Sequence, residues 1–262
     1  MKIAVCIKPV RTGLAFPSEK SNEPFSMNPY DLYALEQCIA LKKKINCTVY
    51  CICLGPESAE SILRKTFVMG ADEAIHICDK AFAGSDTVAT SYILYKALTK
   101  FMPFDLIVCG NKTIDGETGQ VASGLAERLD MDCISDLLSI SCENENEILA
   151  EQNSADKCNV IRLDLPAVVS FDYFTTKHPK ISLNAKKKAK NKSIAKLGIN
   201  EINADKTLCG LSGSKTQVLN IKDKMAKKTS EIVPDGPEEQ AKLIISMMTG
   251  EELSSWQKNK YL

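Results

Sequence analysis

The segment DLIVCGNKTIDGETGQVASGLAERLD, Asp105 to Asp130, combines residue types that suit a bound anion. An apolar run from Leu106 to Cys109 ends at Gly110. A polar loop follows, holding Asp115, Gly116, Glu117, Thr118 and Gly119, and then Val121, Leu125 and Leu129 recur at helical spacing. Backbone N–H groups from Thr118 to Val121 would open that helix and point at a negative charge. Thr118 adds a hydroxyl, and Gly116 and Gly119 let the backbone come close. A helix-end field contributes only ~0.3–1 kcal/mol per charge at exposed sites, so several N–H groups must act together. The same residues also suit a plain strand–helix connection with a threonine cap and two turn glycines. The pattern alone leaves both readings open.

Other chemistry is poorly supported. The loop has neither GxxxxGK[ST] nor GxGxxG spacing. There are eleven cysteines but no CxxC pair, and only two histidines, His76 and His178, which stand apart. Zinc or iron–sulfur ligation therefore has no framework. No Ser/His/Asp or Cys/His arrangement and no acid–base carboxylate pair is evident. The pattern alone gives a nucleotide-binding α/β domain without evident catalytic side chains, and a bound cofactor that carries its own chemistry, such as a flavin, would need none from the chain.

The elements that must position the loop are legible. Lys2 to Ile7, TVYCICLG, AIHIC and DLIVCG read as short apolar strands. Between them lie helical segments. One is SMNPYDLYALEQCIALKKK, with Asn28 as cap, Pro29 in the first turn and Asp31 at the positive end. Another is ESAESILRKTFVMG, stopped by Gly70. The third is GSDTVATSYILYKALTK, capped by Ser85, Asp86 or Thr87. This alternation implies an α/β fold, a mostly parallel twisted sheet with helices on both faces. Ligands of such sheets bind beyond the strands' carboxyl ends. After about Cys133 a hairpin turning at Glu143 to Asn146, and strands on either side of Pro166, would add antiparallel edge strands. The stretch Thr176 to Lys196 reads as loop and weak helix, Met225 to Gly236 as linker, and PEEQAKLIISMM as a helix. The expected division is an α/β domain over 1–175 and a docking loop with a C-terminal arm, carrying Trp256, over 176–262.

Composition agrees with a soluble chain. Of 262 residues 44% are hydrophobic and 25% charged, and Lys+Arg and Asp+Glu both number 33. The balance argues against nucleic-acid binding. Many cysteines sit inside the strands, as buried free thiols do, and suit a reducing compartment. The N-terminal apolar run is short for a signal peptide, and no stretch approaches a membrane span, so a cytoplasmic location is expected.

MKIAVCIKPV, SMNPYDLYALEQCIALKK, LGPESAESILRKTFVMGADEAIHICD, GSDTVATSYIL and CGNKTIDGETGQVASGLAERL stand in one order and spacing. DLPAVVSFD, KAKNKSI, LCGLSGSKTQV and GPEEQAKLI continue it over nearly the whole chain. Together they resemble the β subunit of electron transfer flavoproteins. The resemblance implies a Rossmann-like, adenine nucleotide α hydrolase-like fold and a heterodimer with an α subunit that holds its own flavin. In one branch of the family the β chain binds AMP, and in the flavin-bifurcating branch FAD. GSDTVATSY and IDGETGQV look like the bifurcating branch. By position, the resemblance places nucleotide contacts at Cys6; at Asn28, Pro29, Tyr30 and Asp31; and at Leu54. It also places them along the loop from Gly110 through Asn111, Lys112, Thr113, Ile114, Asp115, Gly116, Glu117, Thr118, Gly119 and Gln120 to Val121.

The implied function is flavin-based electron bifurcation. NADH gives two electrons to the β-bound FAD; one goes to ferredoxin or flavodoxin, the other through the α flavin to an acyl-CoA or hydroxy-acid dehydrogenase. The alternatives are a one-flavin shuttle with structural AMP, and a nucleotide-binding regulatory module without a redox role. One stretch departs from the family. Where an NEPRY-like segment docks the dehydrogenase, this chain has TTKHPKIS, Thr175 to Ser182. Phe174, His178 and Ile181 are the expected docking side chains there.

Overall fold

Alternate residues of each central strand face opposite ways, and both faces are buried. Ile3, Val5 and Ile7 pack into one apolar cluster, while Ala4 and Cys6 pack into another. A sheet buried on both sides needs helices on both sides, and the computed structural model supplies them. It describes residues 1–12, 24–144, 146–154, 157–173, 182–217 and 236–249.

The strands are β1 (Lys2–Ile7), β2 (Pro9–Arg11), β3 (Phe25–Met27), β4 (Thr48–Leu54), β5 (Glu73–Ile77), β6 (Leu106–Gly110), β7 (Asp132–Asn144), β8 (Glu147–Ser154), β9 (Lys157–Asp164), β10 (Ala167–Phe171) and β11 (Ala195–Leu197). The helices are α1 (Pro29–Lys42), α2 (Glu60–Met69), α3 (Thr87–Thr99), α4 (Val121–Leu129), α5 (Leu183–Lys190), α6 (Gly210–Gly213) and α7 (Pro237–Thr249). Nine strands form one sheet in the order β11-β5-β4-β1-β6-β10-β7-β8-β9. Pairing is parallel from β11 to β7. Only β8 and β9 add antiparallel ladders, at one edge.

Leu32, Leu35, Cys38 and Leu41 of α1 join Ile62, Leu63 and Phe67 of α2 on one face. Ile93, Leu94 and Leu98 of α3 join Ala122, Leu125 and Ala126 of α4 on the other. The chain therefore runs outward from β1 through β4 to β5 and then crosses to β6 on β1's other side. The strand order reverses between β1 and β6, and a crevice opens at such a reversal beyond the carboxyl ends.

Several local expectations are met. Gly70 ends α2 at φ 122°, and Asp86 caps α3 by accepting the N–H groups of Val88 and Ala89. β7 and β8 pair antiparallel, with Asn144 opposite Glu147. Three details differ. β10 inserts in parallel between β6 and β7, so it lies inside the sheet and all five of its residues are buried. Ala195–Leu197, expected within and just beyond a loop-and-helix stretch, extends the opposite edge as β11 because its backbone pairs with β5. Asn28 occupies the N-cap position of α1 but makes no side-chain cap bond; its amide is engaged elsewhere, as described below.

The chain divides into two compact units, Met1–Gln217 and Val218–Leu262. Residues 182–217 lie in the first. In the second, α7 presents Ile244 and Ile245 as exposed apolar side chains. The docking residues Phe174, His178 and Ile181, and Trp256, lie outside the described residues. Among the described residues no helix is long and apolar enough to cross a membrane.

Candidate nucleotide site

The loop from Gly110 to Val121 leaves the sheet at the β1/β6 reversal, beside the start of α1. Gly110 must be glycine here. A Cβ on it would strike the Asp31 carboxylate and lie 2.7 Å from Tyr30 Cβ and 2.9 Å from the Asp31 nitrogen. Asp31 is 4% exposed, and its two oxygens are divided between the residue just past β1 and the last residue of β6. Oδ2 accepts the Lys8 N–H at 2.7 Å and Oδ1 the Gly110 N–H at 3.1 Å. Burial pushes its pKa up to about 7, against the pull of those two N–H groups and of the Asn28 amide. Asn28 is wholly buried and serves the same junction. Its Nδ2 donates to the Lys112 carbonyl at 3.0 Å, its Oδ1 accepts from Ile114 N at 3.4 Å, and its own N–H donates to the Lys8 carbonyl at 3.1 Å. This long-range use of the amide is why Asn28 makes no cap.

Beyond Ile114 the loop turns outward. Asp115, Gly116, Glu117 and Thr118 are exposed. The Glu117 N–H donates to the Thr113 carbonyl at 2.9 Å, and Glu117 and Gly119 take left-handed conformations at φ 51° and 65°. The Lys8 ammonium lies 2.7 Å from Asp115 Oδ1 and 3.3 Å from Thr113 Oγ1. Burial works against ionisation of Asp115, but Lys8 and Thr113 outweigh it and hold its pKa below the ordinary range. Lys112 pairs with Asp172 at 3.5 Å and stands over the Tyr30 ring. Deeper, Asn111 bridges Asp136 at 2.8 Å and Ser170 at 3.1 Å, which ties the loop's root to β7 and β10.

Helix α4 starts at Val121, and its cap position is Gln120, not the threonine of the plain-connection reading. Gln120 makes no side-chain cap bond, and the first intrahelical bond runs from Gly124 N–H to the Gln120 carbonyl at 3.0 Å. The N–H groups of Val121, Ala122 and Ser123 are thus left without an intrahelical acceptor. Gly119 approaches this turn in a conformation that favours glycine, and an added Cβ would sit 3.4 Å from the Asn111 carbonyl. The donors and the helix field together suit a phosphate, and the backbone here is open enough to admit one. A groove of about 490 Å³ continues along the α3–α4 seam, lined by Thr87, Val88, Gln120, Ser123 and Arg128. The Thr87 hydroxyl touches the Thr118 hydroxyl at 3.2 Å.

The structure therefore gathers the expected residues at the carboxyl ends of β1, β4 and β6. Their parts differ. Cys6 is buried against Cys109, whose thiol it and burial hold well above the ordinary range. Pro29 is buried in the first turn of α1, Leu54 ends β4, and Asn28 and Asp31 hold the loop's backbone. Asp136 escaped the sequence reading, and Lys8 was read only as the first residue past a strand's carboxyl end. Lys8 carries a weak signal, a cation just past a strand's carboxyl end. Asp136 carries none, because its φ of 63° and its bond to Asn111 are set by the sheet.

The electron transfer flavoprotein domain model matches residues 19–201. An electron transfer flavoprotein subunit beta from Thermoanaerobacterium thermosaccharolyticum is 34% identical over 213 residues, covering 80% of each chain. The caffeyl-CoA reductase-Etf complex subunit CarD from Acetobacterium woodii is 32% identical over 244 residues, covering 89% of this chain and 92% of CarD. Protein FixA from Azotobacter vinelandii is 42% identical over 153 residues, which span 56% of this chain and 54% of that protein. With a mostly parallel, doubly covered sheet and relatives of this kind along most of its length, the chain belongs to the electron transfer flavoprotein family, as a β-type electron-transfer subunit.

Proposed function

We propose that this chain is the β subunit of a flavin-bifurcating electron transfer flavoprotein and holds FAD by its phosphates on the loop Gly110–Val121. The observation that carries this reading is the start of α4. Three N–H groups stand there without intrahelical acceptors, beside Gly119 at φ 65°, at the point where the sheet order reverses. Lys8 and Lys112 are each balanced by a carboxylate, so the phosphate charge falls to the backbone donors and the α4 dipole. Asn28 and Asp31 keep the donors in place by fixing both ends of the loop's inner half.

When bound, the flavin supplies the redox chemistry, which asks no acid or base of the chain. FAD is preferred to AMP in this site because GSDTVATSY and DGETGQV resemble the bifurcating branch. Thr87 and Thr118, one from each motif, are in contact. On this reading the partners are an α subunit with its own flavin, NADH as donor, ferredoxin or flavodoxin as low-potential acceptor, and an acyl-CoA or hydroxy-acid dehydrogenase. Structural AMP is the second reading, since the loop suits the phosphates that both nucleotides share.

Nucleotide extraction tests this. The chain is co-expressed with its α subunit, the 1:1 pair is purified, and released nucleotides are separated by chromatography. Two FAD per pair and no AMP is the expected result. One FAD with one AMP overturns the bifurcation reading and leaves a one-flavin shuttle.

A further inference from the structure

The GSDT stretch does more than start a helix. Asp86 uses its two oxygens in opposite directions. Oδ1 caps α3, accepting Val88 N–H at 3.0 Å and Ala89 N–H at 3.1 Å. Oδ2 accepts from a segment about 130 residues away in sequence: Lys215 N–H at 2.6 Å, Thr216 N–H at 2.9 Å and the Thr216 hydroxyl at 3.2 Å. The neighbours repeat the grip. Asp86 N–H donates to Ser214 Oγ at 2.8 Å, and Gly210 N–H donates to Ser85 Oγ at 3.1 Å. Gly210, at φ 58°, lies so close to the Ala81 carbonyl that a Cβ would collide with it. The GLSGSKT stretch is thus wound onto the start of α3, and its last gripped residue stands immediately before the unit boundary at Gln217. On the other side, Thr87, next to Asp86, touches Thr118 of the nucleotide loop.

We propose that Asp86 is a two-sided clamp through which occupancy of the nucleotide loop sets how firmly Lys215 and Thr216, at the end of the first unit, are held. The coupling half of this proposal rests on the nucleotide reading above; the clamp half does not. An occupant that fixes Thr118 also fixes Thr87 and the first turn of α3, and with it the direction of Asp86 Oδ2. Local opening of the 214–216 segment then becomes less frequent. Asp86 is a positioning residue, acting on the segment rather than on the nucleotide.

Hydrogen exchange on the full chain paired with its α subunit tests both halves. Asp86→Asn keeps an oxygen for the α3 cap, where asparagine is as good as aspartate, but puts an NH2 group where Lys215 and Thr216 need an acceptor. Exchange at Lys215 and Thr216 is expected to rise about tenfold, the effect of losing hydrogen bonds to a charged group. Val88 and Ala89 should keep wild-type protection, which shows that the helix start is intact. Unchanged exchange at Lys215 and Thr216 overturns the clamp. In the wild type, adding FAD, or separately AMP, to nucleotide-stripped protein should slow exchange at Thr118–Val121 and also, several-fold, at Lys215 and Thr216. In Asp86→Asn the first effect should persist and the second vanish. Protection confined to Thr118–Val121 in the wild type overturns the coupling. If neither nucleotide protects Thr118–Val121, the nucleotide reading and the coupling fall together, while the Asp86→Asn comparison still decides the clamp.

Discussion

Asp31 Oδ1 accepts the N–H of Gly110 at 3.1 Å across 79 residues of chain. With the 2.7 Å bond from Lys8 N–H to Oδ2, one buried carboxyl joins the ends of the two central strands at the point where the nucleotide loop begins. The carboxyl holds the root of the loop at Gly110, so its protonation state bears on both stability and loop geometry.

Its pKa gives the first prediction. Burial raises Asp31 from the ordinary value of 3.8 to about 7. The folded chain therefore binds more protons than the unfolded chain between these two values. Folding stability contributed by this group falls as pH rises through that window and levels off above about 7. The change should be on the order of 1–4 kcal/mol. Urea unfolding at pH 5 and pH 8 should show this loss in the wild type and a visibly flatter profile in Asp31→Asn. A variant with the wild-type slope would remove Asp31 as the titrating group.

Gly119 and Gly116 give the second. Gly119 lies at φ 65°, where a side chain costs ~1–2 kcal/mol. Gly116 is not in the left-handed region, and a Cβ there would meet only Thr113 Oγ1 at 3.5 Å and Lys8 Nζ at 3.8 Å. Gly119→Ala should lower stability by about that amount and cut nucleotide retention, read as flavin per purified pair. Gly116→Ala should keep wild-type stability. Equal stability loss in the two variants would contradict the loop geometry.

The docking stretch gives the third. Replacing Phe174, His178 and Ile181 with Ala should weaken electron delivery to the dehydrogenase. NADH oxidation by artificial acceptors, which on the proposed reading needs only the flavin site, should remain. Loss of both activities to the same degree would make the stretch structural.

How much of this was legible in the sequence depends on the range of the interaction. Elements with local signatures were readable: apolar runs for β1, β4, β5 and β6, the stop at Gly70, and a cap for α3 among Ser85, Asp86 and Thr87. The position of the loop was readable too, because a strand, two glycines and a helix face lie in one short stretch. Each of these rests on residues within a few positions of one another, where spacing alone decides geometry.

The use of individual side chains was not readable. Asn28 and Asp31 have the residue types and positions of a helix cap and a first-turn acid. Yet Asn28 bonds Lys112 and Ile114, and Asp31 bonds Lys8 and Gly110, because the β1/β6 reversal brings those backbone groups within reach. The same holds for Lys8 with Asp115, for Asp86 with Lys215 and Thr216, and for β10, which slots between β6 and β7. A polar side chain near a helix start satisfies whichever buried partner the fold presents, and leaving a distant buried N–H unmet costs more than forgoing a local cap. The sequence by itself determined the alternation, the two-sided core and the place of the loop. The tertiary structure alone decided which polar groups meet across 79 to 130 residues of chain, since contacts at that range leave no periodic trace in the order of the amino acids.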